Sequence, residues 1–406
     1  MPTRYGRSPW LDQFPKSRVP AYPQHRGPLA IDVAIVGGGL TGCATAYAFA
    51  AAGVKVGLFE AGRIGSGSSG ASAGWLGDDP GASFAAVERQ LGLKAARHAW
   101  QAWRRAALDF AALIKRLDLT CRLEPHGSLL AATTPEQVVR LQREQKSRRA
   151  AGLDASLVGS RAIADETTID ALCAIRSREG ATLDPYRATL GLAAAAASRG
   201  ALIFERTPVT AIAFDRKNAA VTTPGGSFRV RRVVAATAMP VAPLFQSLAR
   251  HVWFKSRYFA LTGPVPARVR ARLGTRALVV RDAAAPAHLV RWVDDRLLVA
   301  GADGDTPPAR LREKTLVQRT GQLMYELSTL YPEISGLMPD YGWDAPYSTT
   351  AEGLPYMGAH RNFPHQVLVF GDSSPGMTGA YLASRLALRH HLGEADVADK
   401  VFGFTR

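Results

Sequence analysis

An α/β fold of two domains is predicted, one built on a parallel sheet and the other an α+β unit with a mostly antiparallel sheet. Three observations lead there. The chain has 406 residues, more than one hydrophobic core usually supports. Residues 32–60 arrange strand, glycine turn, helix and strand in the order of a βαβ unit. The same pattern returns near 185–245 and near 340–400, separated by strand-rich segments that look antiparallel.

Residues 1–29 are rich in Pro, Arg and aromatics (Trp10, Phe14, Tyr22) and read as an extended arm without helix or strand. Residues 32–36 form a short apolar run, as in a strand buried on both faces. A glycine turn at 37–42, an alanine-rich helix at 43–52 and a second buried strand at 55–59 follow. Residues 84–117 carry helical periodicity, 127–132 read as a strand, and 136–150 as a charged helix. Its basic run, 143–149, is expected to be a solvated face. A helix begins at Asp184-Pro185, and strands follow at 201–204, 209–214 and 232–236. Further strands are expected at 258–261, 288–292, 297–300 and 366–370, with helices at 311–330 and 380–392. This alternation places a discontinuous first domain at 30–100, 181–245 and 340–406, and a second at 101–180 and 246–339.

Composition narrows the function classes. Hydrophobic residues make up 47% and charged residues 21% of the chain, without the signature of disorder. The net charge of +16 favours anionic partners, but its spread along the chain reads as a solvated surface. Cys43, Cys121 and Cys173 lie far apart, which argues against a zinc site and a disulfide framework. Arg4 and Arg7 precede no apolar stretch, so no signal peptide is expected. No run is long enough for a membrane span, and a cytoplasmic protein of open oligomeric state is predicted.

The glycine turn carries the first chemistry. Gly37, Gly39 and Gly42 form G-x-G-x-x-G. The first permits the tight turn, the second admits a pyrophosphate close to the backbone, and the third packs helix on strand. The helix N-terminus then faces the diphosphate. Glu60 closes the second strand about 20 residues on, where a carboxylate accepts hydrogen bonds from a ribose and repels the 2′-phosphate of NADP. FAD and NAD both satisfy this motif.

Four segments make the chain similar to the D-amino-acid oxidase superfamily of FAD-dependent oxidoreductases, which includes glycine and sarcosine oxidases. They are residues 32–60; the small-residue run 61–75; Gly180–Pro185 with the later strands containing Val209 and 235–238; and 350–358 with 371–378. The resemblance implies a Rossmann-like FAD-binding domain of glutathione-reductase type with an inserted α+β substrate domain. It assigns FAD contacts to Gly37, Gly39, Gly42, Glu60, Ala61, Ser68, Ser69, Ala73 and Gly74, and to Val209, Thr237, Gly371, Gly376, Met377 and Thr378. Small residues at 61–75 can track an anion or ring at close range. The helix opening near Gly376 and Thr378 can place its positive end at the flavin.

Departures from the family pattern are also legible. Ala345 is the nearest match to the cysteine that carries covalent flavin in some relatives, so noncovalent FAD is expected. Thr378 stands where sarcosine oxidases have a substrate-binding lysine, which points away from sarcosine. The resemblance implies oxidation of a small amine or amino acid by hydride transfer to flavin N5, with O2 or another acceptor taking the electrons. If the substrate is a carboxylate, an arginine fork is the natural anchor. Arg291 is the first candidate, with Tyr258 beside it and Arg257 and His288 behind. Two other readings stay open: action on a modified tRNA base, although no compact basic block interleaved with aromatics supports it, and a flavoprotein subunit that needs a partner to pass electrons on. No metal site is expected.

Overall fold

The computed structural model describes residues 2–215, 218–371 and 376–406. Two sheets organise the chain. The smaller has six strands in the order Leu202–Phe204, Val56–Phe59, Val33–Val36, Arg232–Ala238, Phe363–Phe370, Tyr356–His360. The first five run parallel and the last pairs antiparallel. Val33–Val36 and Val56–Phe59 are buried throughout, as their unbroken apolar sequence requires. On one face lie the helices Leu40–Ala51, Pro185–Ser198 and Gly376–Leu392, the first packed against each of the other two. The first of these is buried nearly all round, so it carries small alanines rather than a polar stripe. On the other face sits a three-stranded meander, Ala211–Phe214, Ala219–Thr223 and Gly226–Val230.

The larger sheet has nine strands and is mainly antiparallel. At its centre lie Pro339–Thr349, Trp253–Thr262, Arg296–Asp305 and Leu289–Val293, in that order. Along Trp253–Thr262 the side chains alternate. Tyr258 and Ala260 pack into the core shared with the helix Arg312–Leu330, whereas Phe259 and Leu261 join the core on the opposite face. Pro339–Thr349 pairs along its length with Trp253–Thr262. Its residues therefore belong to the larger sheet.

Three expectations about local structure are corrected. The N-terminal arm is not featureless. Arg4–Tyr5 adds a parallel edge strand to Tyr341–Gly342, and Pro9–Gln13 forms a short helix capped by the Ser8 hydroxyl with proline in its first turn. Burial of Trp10 fixes that helix. The helical stretch 84–117 is broken at Gly92, whose φ of +85° separates Phe84–Leu91 from Leu93–Arg116. Finally, the basic run 143–149 is not wholly solvated. Arg148 is buried, donates to Glu144 at 2.8 Å and contacts Asp79, which also receives both ends of the Arg281 fork. Burial opposes ionisation of Asp79, but Arg281 overcomes it and holds the carboxyl well below the usual range.

Candidate active site

A cavity of about 540 Å³ runs from the glycine turn to the larger sheet. Its first wall begins where the strand Val33–Val36 ends. Gly37 has φ +107°, and a Cβ there would lie 2.6 Å from the Ala236 carbonyl oxygen. Gly39 is the N-cap of Leu40–Ala51 and supplies no capping side chain. Gly39, Leu40 and Thr41 thus present the start of the helix to the cavity. Ser69 Oγ accepts the Leu40 N–H at 2.8 Å. Gly42 lies beneath the turn rather than on the cavity wall, and a Cβ there would stand 1.9 Å from the Gly37 carbonyl oxygen.

Glu60 and Ala61 also line the cavity, as do Val209 and Thr237. The Glu60 carboxylate accepts the Gly38 N–H at 2.6 Å on one oxygen and the Gly62 N–H at 2.7 Å on the other. Each oxygen retains acceptor capacity for a hydroxyl. Buried Glu205, which pattern reading missed, accepts the Ile64 N–H at 2.8 Å and secures the segment behind Glu60.

Ser68, Ser69, Ala73 and Gly74 line the middle of the cavity. Their backbone is fastened from several directions. Ser8 donates to the Gly70 carbonyl at 2.5 Å, the Trp10 indole to that of Ser72 at 3.0 Å, and the Trp343 indole to that of Ala71 at 2.7 Å. Gly376 and Met377, at the start of the last helix, also face the cavity. Gly371 and Thr378 do not. The Gly371 N–H is spent on Ser348 Oγ, and the fully buried Thr378 hydroxyl donates to the Gly77 carbonyl at 2.8 Å. The stretch 372–375, which holds Ser374 and Pro375, lies outside the described residues.

The far wall belongs to the larger sheet: Arg257, Phe259, Leu289, Ala300, Ala345 and Tyr347. Neither leading catalytic candidate is among them. Tyr258 is 1% exposed and points away, into the core beneath the helix Arg312–Leu330. Strand alternation gives the cavity face to its neighbours Arg257 and Phe259 instead. Arg291 is buried behind the wall, donating to the carbonyls of Gly74 at 3.1 Å and Leu183 at 3.4 Å beneath the Trp10 ring. Burial brings its guanidinium down to about 10. His288 is clamped between Asp282 at 2.6 Å and Glu326 at 2.8 Å, with no place on the cavity wall. Its imidazole is raised to about 8, chiefly by the hydrogen bond to Asp282.

The cavity suits a dinucleotide: a backbone cradle at which added Cβ atoms would collide, a carboxylate at the strand end, and an elongated wall of small residues. Among the described residues no group of three or more His, Cys, Asp or Glu could hold a metal ion. No helix among them is long and apolar enough to cross a membrane.

Comparison with known proteins agrees with this geometry. The sequence profile of the family described as FAD dependent oxidoreductase matches residues 32–389. The chain is 26% identical to a gamma-glutamylputrescine oxidoreductase of Escherichia coli (strain K12), over 91% of this chain and 86% of that protein. It is 29% identical to a glycine oxidase of Geobacillus kaustophilus (strain HTA426), over 81% and 84% respectively. The crystal structure of glycine oxidase from Geobacillus kaustophilus superposes with a TM-score of 0.75 at 24% identity, covering 93% of this chain and 98% of that one. An L-amino acid deaminase from Proteus myxofaciens superposes with a TM-score of 0.77 at 16% identity, covering 96% of each. At these identities the structural likeness speaks for the fold.

Proposed function

Since the chain belongs to the family of FAD-dependent oxidoreductases, its redox cofactor is FAD, and we propose that it oxidises a carbon–nitrogen bond of a small amine or amino acid. The observation that carries this reading is the cavity itself, with a dinucleotide cradle at one end and Arg257 at the other. Relatives described as glycine oxidase and gamma-glutamylputrescine oxidoreductase support the substrate class.

The chain's residues divide the work along the cavity. The amides at the start of Leu40–Ala51 would hold the diphosphate, and Glu60 would accept from the adenosine ribose. Residues 68–69, 72–74 and Gly376–Met377, which line the middle of the cavity, would hold the flavin ring. Bound FAD supplies the hydride acceptor at N5, and the imine so formed from the substrate is hydrolysed by water. Phe259, Leu289 and Ala300 form an apolar wall that keeps bulk water from the reacting carbon. Arg257 holds a carboxylate or other acceptor on the substrate. An anaerobic screen of amino acids and amines against the holoprotein tests the reading. At least one compound is expected to bleach the visible absorbance of the oxidised flavin. A protein without flavin, or flavin that no amine bleaches, overturns it.

A further inference from the structure

Arg291 is a cation in the interior without a counter-charge beside it. It is 5% exposed, and its fork is spent on two backbone carbonyls; among the described residues no carboxylate forms an ion pair with it. Glu124, Asp184 and Asp294 act on it only at longer range, and burial lowers it to about 10, so it stays charged at neutral pH. Its Nε has no hydrogen-bond partner among those residues. Arg148, buried to a similar degree, meets the carboxylates of Glu144 and Asp79 instead. An uncompensated buried charge is costly, and the Gly74 and Leu183 carbonyls offset only part of it. Arg291 shares a strand face with Leu289, which lines the cavity, and it donates to Gly74, which lines it too. Hydride transfer to oxidised flavin adds one negative charge to the ring.

Trp10 closes the other side of Arg291. Its ring centroid lies 5.4 Å from the guanidinium, while its indole N–H donates to the Ser72 carbonyl at 3.0 Å. The helix Pro9–Gln13 that carries it is held by Ser8 on the Gly70 carbonyl and by the Arg4–Asp12 ion pair. In a trans peptide the carbonyl and the following N–H point in opposite directions. Pinning the Ser72 carbonyl on Trp10 therefore turns the Ala73 N–H away from Trp10. Ala73 lines the cavity and Trp10 does not. That N–H has no partner among the described residues. The arm that supplies Trp10 precedes the stretch 32–389 matched by the family profile.

We propose that Arg291 is the buried counter-cation of the reduced flavin, and that Trp10 is a positioning residue that keeps Arg291 dry and turns the Ala73 N–H toward the ring. The N-terminal arm thereby sets how readily the bound cofactor takes up electrons. The inference needs bound flavin but no particular substrate, so it stands or falls apart from the amine-oxidation reading.

The test measures the two-electron reduction potential of the holoprotein against reference dyes, with no amine present. Wild type is compared with Arg291→Met, Arg291→Lys and Trp10→Phe, each checked for FAD content. Loss of the charge in Arg291→Met is expected to shift the equilibrium about tenfold or more toward oxidised flavin, a potential about 30 mV more negative. Arg291→Lys keeps the charge and is expected to stay within about threefold of wild type. Trp10→Phe keeps a ring over the guanidinium but loses the indole N–H, and about a threefold shift in the same direction is expected. A wild-type potential in Arg291→Met or in Trp10→Phe overturns the inference, as does an Arg291→Lys protein as low as Arg291→Met. If Arg291→Met retains no FAD, Trp10→Phe decides: a lowered potential supports the inference and an unchanged one overturns it. Unchanged potentials leave the amine-oxidation reading standing, because bleaching by an amine tests that reading separately.

Discussion

Two glycines in the same turn are expected to fail in opposite ways when given a methyl group. A Cβ on Gly42 would stand 1.9 Å from the Gly37 carbonyl oxygen, which is backbone and cannot rotate away. Ordinary contact requires a displacement of roughly 1.5 Å, and overpacking of that kind costs about 1–3 kcal/mol or more. Gly42→Ala is therefore expected to lower the stability of the apoprotein itself. Among the described residues a Cβ on Gly39 meets only Ser69, its Oγ at 2.9 Å and its Cβ at 4.0 Å. Rotating that serine relieves the contact and forfeits its bond to the Leu40 N–H, a loss of about 1 kcal/mol. The new methyl, however, occupies the face at which a diphosphate must approach. Gly39→Ala is expected to melt within about 1 kcal/mol of wild type as apoprotein while binding FAD at least tenfold more weakly, about 1.4 kcal/mol of ligand stabilisation lost. Denaturant melts of apoprotein and holoprotein, with calorimetric titration of FAD, separate the two effects. A Gly39→Ala variant with wild-type FAD affinity would refute the cradle.

The remaining predictions are independent of that turn. FAD is expected to leave with the supernatant when the protein is precipitated by acid, because Ala345 offers no thiol at the position that anchors flavin covalently in some relatives. Yellow colour remaining in the washed pellet would contradict this. Arg257→Lys is expected to raise KM about tenfold or more, since an ammonium cannot keep the two-nitrogen contact with Asp303 that orients the cation at the cavity wall. Arg291→Met is expected to lower stability by about 1–3 kcal/mol, as the Gly74 and Leu183 carbonyls lose a donor, with KM nearly unchanged. The reverse ranking in steady-state kinetics would restore Arg291 as the anchor. His288 stands at about 8 in the folded protein against an ordinary 6.5. Its contribution is thus complete below about pH 6.5 and fades as pH rises through 8, by about 1 kcal/mol after discounting for partial exposure. Chemical denaturation from pH 6 to 9 is expected to show this loss in wild type and not in His288→Gln.

The cofactor end of the cavity was legible in the sequence because its requirements are local. Val33–Val36, Gly37, Gly39 and Glu60 lie within one βαβ unit, and each residue type answers to a backbone constraint. The substrate end was not. Residues 258–261 are buried on both faces of their strand, so no alternation of apolar and polar residues reveals which side meets the cavity. A shift of one position separates Tyr258 from Arg257. Asp303 and Tyr347 reach Arg257 only through strand register, across separations of 46 and 90 residues in the chain. The helix at Pro9–Gln13 did carry a local signal, Ser8 followed by Pro9, but five residues are too few for periodicity to register.

The strand Pro339–Thr349 also bears on how the enzyme can move. It is a full member of the larger sheet, yet it is bonded to the cofactor side along its length. Trp343 donates to Ala71, Pro346 accepts from Ser68, and Ser348 donates to Ala238 at the end of a strand in the smaller sheet. Opening the two halves like a hinge would break all three bonds and draw Trp343, which is fully buried, into water. Rigid-body closure is therefore a poor way for this molecule to admit its substrate. Entry falls to side chains and loops around the mouth, and small-angle scattering is expected to give one envelope with or without ligand.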